Sequence, residues 1–110
     1  MADADGLAAA RAMWAADAAS AGLGMELLGL DVGRATVRMA VTEAMVNGHA
    51  IAHGGFVFAL ADSAFALACN SHGPVTVAAG CDITFVAPAR LGDVLVAELR
   101  GRSRTVGRSS

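Results

Sequence analysis

The sequence has 110 residues, 55% of them hydrophobic, with 13 Gly, 2 Pro and a formal net charge of -2, which fits one domain (residues 1–110) and not two. Its apolar fraction exceeds the range of about 45 to 50% usual for soluble chains, and in so short a domain the surplus points to contacts between subunits. Two classes are disfavoured: five of the eight basic residues, all Arg, fall in the last twenty-one positions, leaving no broad basic surface, and with no Tyr and one Trp the chain is poorly suited to nucleic acid, while the most apolar stretch, residues 54–69, is broken by Asp62 and Ser63 and is too short and too polar to span a membrane.

Asp3 and Asp5 stand where a secretory leader would carry basic residues, so a cytoplasmic, reducing location is expected, with Cys69 and Cys81 as free buried thiols. Either Asp can cap a first helix running to about Ala21, with Leu7, Ala10, Trp14 and Ala18 on one face and Gly22 as its terminator. A short strand follows from Met25 to Leu30. Asp31-Val32-Gly33 then turns the chain into a strict alternation, with Ala35, Val37, Met39 and Val41 facing one way and Arg34, Thr36 and Arg38 the other.

Between Thr42 and His53 the periodicity disappears, leaving a polar loop that contains Asn47, Gly48, His49 and His53, the kind of segment that often carries chemistry. A second helix is expected from Gly54 or Gly55 to about His72, ended by Gly73-Pro74. Phe56, Val57, Phe58, Leu60, Phe65 and Leu67 spread almost all the way round it, so it should be buried and wrapped by a sheet. Alternation returns from Val75 to Phe85 and stops at Ala87-Pro88. Gly92-Asp93 then turns into a strand from Val94 to Arg100. The order predicts an α+β fold, one antiparallel sheet curled round one long helix.

The chemistry concentrates in residues 53–62, where two glycines open a helix and a carboxylate sits about two turns in. A helix start presents unpaired N–H groups and the positive end of the dipole, which suits a developing oxyanion, and glycine lets a carbonyl approach closely. Asp62, on an otherwise apolar helix, is costly unless paired, hydrogen-bonded or functional, and burial there would make it a stronger base or nucleophile. Pairing with Arg34 or Arg38 is the plain alternative. Asn47 and His53 could orient a water or the carboxylate, or serve only as an Asx turn and a helix-entry hydrogen bond. His49 and His53 lack a third ligand, so no metal is expected. Arg100, Arg102 and Arg104 would line one face of an extended strand, either as a phosphate landing place or as a solvated edge.

Asn47-Gly48, His53-Gly54-Gly55, residues 60–66 (LADSAFA) and Ala68-Cys69-Asn70-Ser71 together closely resemble the PaaI-type hotdog-fold thioesterases, over essentially the whole chain. The resemblance implies a hotdog sheet around a central helix, here Gly55 to about His72. It implies that the turn at Gly54 and Gly55 polarises a thioester carbonyl and that Asp62 is general base or nucleophile. Asn47 would hold water or substrate, and His53 would support the turn. Ser63 and Arg90 become the expected substrate contacts, Arg90 because Ala87-Pro88 stands where members often carry a basic residue. The substrate implied is an aryl- or acyl-coenzyme A ester such as (hydroxy)phenylacetyl-CoA, with no cofactor, since coenzyme A is part of the substrate. The expected assembly is a homodimer sharing active sites, paired again as a dimer of dimers. Members continue for roughly two more strands, so a C-terminal truncation is expected, with residues 104–108 as the next turn. A silent acyl-CoA-binding module and an acyl thioester hydratase or dehydratase are the competing readings.

Overall fold

The computed structural model describes residues 2–71, 89–100 and 103–108. Helix α1 (Ala2–Ala15) leads through a break into the short α2 (Ala18–Gly22), and strands β1 (Glu26–Asp31) and β2 (Arg34–Ala40) follow. After a loop comes the long helix α3 (Gly54–Asn70), and then strands β3 (Val94–Arg100) and β4 (Ser103–Arg108). The strands form one antiparallel sheet in the order β1-β2-β3-β4. The α+β expectation therefore holds. The expected strand 75–85, with Cys81, and the stop at Gly73-Pro74 lie outside the described residues.

The alternation read in β2 sets the core. Ala35, Val37 and Met39 are fully buried, as are their neighbours Leu95, Ala97 and Leu99 on β3, or nearly so, and α3 packs across this face through Val57, Leu60, Ala64, Leu67 and Ala68. Residues on the other face of these strands form a charged ladder, with Arg38 on Glu26 at 2.8 Å and Glu98 shared by Arg34 and Arg100. In β1 the register slips between Leu27 and Gly29. The extra residue, Leu28, is left exposed, while Leu27 and Leu30 both pack on the core.

Three expectations are corrected. The first helix is two helices, because the Asp17 carboxylate accepts the Ser20 N–H at 2.9 Å and so starts a new one; α1 begins at Ala2, so Asp3 and Asp5 lie within its bounds and not ahead of them. Residues 104–108 are part of strand β4, not a turn. Arg100 and Arg104 consequently stand on different strands, opposite Ser103 and Leu99, so the single-strand row does not form.

The far end of α3 is tied down by a residue whose structural part its sequence context does not reveal. Ser71 is fully buried; its hydroxyl donates to the Ala68 carbonyl at 2.7 Å and accepts the N–H of Gly33 at 2.8 Å. Gly33, at φ 71°, makes the β1–β2 turn, so one side chain joins the helix terminus to the turn that sets the hairpin.

Candidate active site

The polar loop is held as a compact knot. Asn47 exchanges backbone hydrogen bonds with Ile51 and Ala50, and its Oδ1 accepts the N–H of His49 at 2.9 Å and of Ile51 at 3.2 Å. With both donors aimed at one atom, the amide orientation is determined: the oxygen closes the loop and the Nδ2 hydrogens remain for another acceptor. Ala50 takes φ 60°, a left-handed conformation costing a residue with a Cβ about 1 kcal/mol or more. The loop is stitched to 89–91 through Ala52 N–H to Ala89 C=O at 2.7 Å and Leu91 N–H to Ala50 C=O at 3.3 Å. Arg90 therefore borders the loop, opposite Ile51, with its side chain exposed.

His53 is the N-cap of α3 and contributes through its backbone: its N–H reaches the Met45 carbonyl at 2.8 Å and its carbonyl accepts the Phe56 N–H at 3.1 Å, with no cap bond from the ring. Gly54 and Gly55 follow as the first helical residues, both exposed, and a Cβ at Gly55 would meet nothing within 4 Å. Their N–H groups precede the first possible intrahelical acceptor and point out of the helix end.

Asp62 is exposed in this chain, which corrects the expectation of a buried carboxylate. The physical reason is the shape of the cover. At about 100° per residue, Gly54, Gly55, Phe58 and Asp62 fall on one side of α3, opposite the face that packs on the sheet, and all four are exposed, Phe58 at 47%. The helix is thus not wrapped all round; one stripe is open, apolar at Phe58 and charged at Asp62. Arg34 and Arg38, the alternative partners of Asp62, are engaged with Glu98 and Glu26 on the outer face of the sheet. No group of three metal-ligating side chains is present among the described residues.

Asn47, His53, Gly54, Gly55 and Arg90 are thus gathered at the start of α3, and Asp62 shares their open stripe two turns further on. His49 is exposed, held through its backbone by Asn47. Ser63 is turned to the flank, its Oγ 2.8 Å from that of Ser20. Sequence reasoning missed Phe58 as part of the open stripe, although it lies one turn from both Gly54 and Asp62. It also missed Asp17 and Ser20, whose Asp-x-x-Ser spacing is an N-cap signature hidden inside an Ala-rich run.

An antiparallel sheet carrying one long helix whose start opens on exposed glycines defines the hotdog class. A family model described as the thioesterase superfamily matches residues 49–109, and the chain belongs to that family. Among relatives, it is 47% identical over 93 residues to the acyl-coenzyme A thioesterase PaaI of Escherichia coli, an alignment covering 84% of this chain and 66% of the relative. A putative esterase of Archaeoglobus fulgidus is 42% identical over 71% of this chain and 51% of its own length. The chain thus spans between half and two thirds of these curated relatives. The solved structure of the Escherichia coli PaaI protein superposes with a TM-score of 0.87 over 99% of this chain and 86% of that one, at 37% identity. A Streptococcus mutans protein bound to acetyl-CoA superposes at 0.68 over 77% of this chain and 76% of its own, at 26% identity.

Proposed function

We propose that this chain hydrolyses acyl-coenzyme A thioesters, aryl esters such as phenylacetyl- or hydroxyphenylacetyl-CoA among them, in a cytoplasmic homodimer that shares its active sites and pairs again into a tetramer. The observation that carries the reading is the open stripe of α3, which joins a glycine helix start to a solvent-facing carboxylate. The Gly54 and Gly55 N–H groups, with the Nδ2 of Asn47, polarise the thioester carbonyl. Asp62 takes a proton from water as its oxygen bonds to the carbonyl carbon, the C–S bond breaks, and the proton passes to the departing thiolate. Arg90, exposed beside the loop, meets the nucleotide phosphates. Similarity to PaaI, and a fold relative that holds acetyl-CoA, support the substrate class.

Helix geometry supports the sharing. Gly54 or Gly55 and Asp62 are seven or eight residues apart, hence roughly 10 to 12 Å along α3, whereas a reacting water must lie about 3 to 3.5 Å from the carbonyl carbon. One helix does not supply both groups to one ester. Two copies packed antiparallel along their open stripes do, because the start of each then lies beside the middle of the other. Phe58, exposed between the two groups, is the apolar surface such packing covers.

Complementation tests this. An Asp62→Asn chain and a Gly55→Val chain should each be inactive alone. Refolded together, random pairing gives mixed dimers with one intact site of two, so roughly a quarter of parent activity returns. Mixed dimers seen by mass spectrometry without recovered activity would mean that each subunit holds a complete site.

A further inference from the structure

The polar chain running from the N-terminal helices to α3 is not used by the chemistry above. Asp17 Oδ1 accepts the Ser20 N–H at 2.9 Å, Asp17 Oδ2 accepts the Ser20 hydroxyl at 2.6 Å, and Ser20 Oγ lies 2.8 Å from Ser63 Oγ. Ser20 is 3% exposed. Counting protons sets the direction. A carboxylate only accepts, and a serine has one hydroxyl hydrogen; Ser20 gives its own to Asp17, so at the second contact Ser20 accepts and Ser63 donates. The Asp17 carboxyl is held below the usual carboxylate range, first by the Ser20 hydroxyl, then by the Ser20 N–H, so the chain is anchored on a full negative charge at neutral pH. Each bond polarises the next.

Ser63 follows Asp62 and is turned about 100° from it round α3. Within one turn of them along the axis, the residues between the two directions are Ala59 and Ala66, both half-buried. Helix α2 is therefore fastened at the border of the open stripe, on the side nearest Asp62. The remaining cover of the N-terminal helices is apolar, through Ala10, Met13, Trp14 and Leu23. Such contacts are non-directional and allow sliding, while a hydrogen-bonded chain specifies one position.

We propose that Asp17, Ser20 and Ser63 form a positioning latch that fixes α2 as a wall of the acyl channel beside Asp62, so that these residues determine which acyl bulk is accepted. The proposal rests on the thioesterase reading and adds specificity to it. None of the three need touch the reacting atoms; they act through the position of α2.

The test uses the whole chain with Ser20→Ala, Asp17→Asn and the double variant Ser20→Ala/Ser63→Ala. Initial rates of thiol release from acetyl-CoA and phenylacetyl-CoA yield the ratio of their kcat/KM values. Both single variants should change that ratio by about fivefold or more, within the range of coupling through a shared hydrogen-bond network. The change should sit in KM, with kcat for acetyl-CoA close to that of the parent. The double variant should shift the ratio no further than Ser20→Ala, as one connected chain requires. Amide exchange over residues 17–24 should quicken while that of β2 and β3 stays as in the parent. Asp17→Asn keeps the size of the side chain and serves if Ser20→Ala fails to fold. Faster exchange with an unchanged ratio would make the chain a structural tie only and overturn the proposal. Unchanged exchange would do the same. If the parent hydrolyses neither ester, the thioesterase reading falls, and the ratio is read instead from the binding of S-ethyl- and S-phenethyl-CoA thioethers. An unchanged ratio there, or no binding by the parent, sinks the latch as well.

Discussion

Asn47 offers a way to separate loop structure from chemistry within one side chain. Its Oδ1 closes the loop by accepting two backbone N–H groups, and its Nδ2 hydrogens are the ones assigned to the thioester carbonyl. Asn47→Asp keeps an acceptor oxygen of the same shape, strengthened by charge, but removes both donors. Losing one oxyanion donor costs about 100- to 1000-fold in turnover. A carboxylate about 4 Å from a developing negative charge adds repulsion of roughly 4 kcal/mol at an effective dielectric constant near 20. The two losses overlap, so a fall in kcat of at least about a hundredfold is expected. Asn47→Ala removes the loop bonds too. At about 0.5 to 1.5 kcal/mol each, that is about 1 to 3 kcal/mol of stability, and a domain of this size loses about 4 to 8 °C of Tm per kcal/mol. Asn47→Asp should therefore melt with the parent while Asn47→Ala melts lower. Thiol-release kinetics and circular-dichroism melts, run at one protomer concentration because assembly shifts Tm, measure both. An Asp variant with kcat within threefold of the parent, or one melting as low as Asn47→Ala, would refute the division of labour between the oxygen and the nitrogen.

Asp62→Asn, at an exposed position, should fold as the parent does and lose at least about a hundredfold in turnover, the lower end for a general base; near-parent turnover would remove Asp62 from the mechanism. Ser71→Ala leaves the Gly33 N–H without its acceptor in a buried setting and should cost about 1 to 3 kcal/mol in urea denaturation, a midpoint equal to the parent's counting against the tie. Asp17 has a folded-state pKa below its ordinary value, the Ser20 hydroxyl being the main cause, so its contribution is complete above the ordinary carboxylate pKa and fades as pH falls through the lowered one. Amide exchange in α2, corrected for intrinsic rate, should show that acid step in the parent and lack it in Asp17→Asn; identical profiles would contradict it. Activity should survive chelators, since the proposed chemistry runs through the Gly54 and Gly55 N–H groups, the Asn47 amide and the Asp62 carboxylate without a metal, and loss of stoichiometric zinc together with activity would argue otherwise.

Periodicity along the chain was enough for β2, β3 and the long helix, because side chains alternate in a strand and recur every 3.6 residues in a helix whatever the rest of the fold does. Ala35, Val37 and Met39 are buried as their spacing requires. The glycine start of α3 was equally plain, since Gly54 and Gly55 after His53 mark both a helix entry and a place for close approach. Periodicity failed in the first twenty-two residues, where an Ala-rich run gives a helical signal throughout, although the short strand after it was read correctly. The break at 16–17 depends on one carboxylate turning back on the backbone. It failed again at 104–108, where the pairing partner that makes a strand of Ser103–Arg108 lies in β3.

What the sequence by itself determined is therefore the class of fold, the two ends of the open stripe and the family. Those rest on local patterns and on a run of residues, 47–71, whose order is distinctive. Only the tertiary structure decided that Asp62 is exposed and not buried, that the Asn47 oxygen is consumed by its own loop, that Ser63 faces Ser20 and that Ser71 ties the helix to Gly33. Apolar composition says that a helix will be covered but not from which side. Which side is set by where the sheet and the N-terminal helices come to lie, through contacts between residues tens of positions apart whose partners no local pattern names.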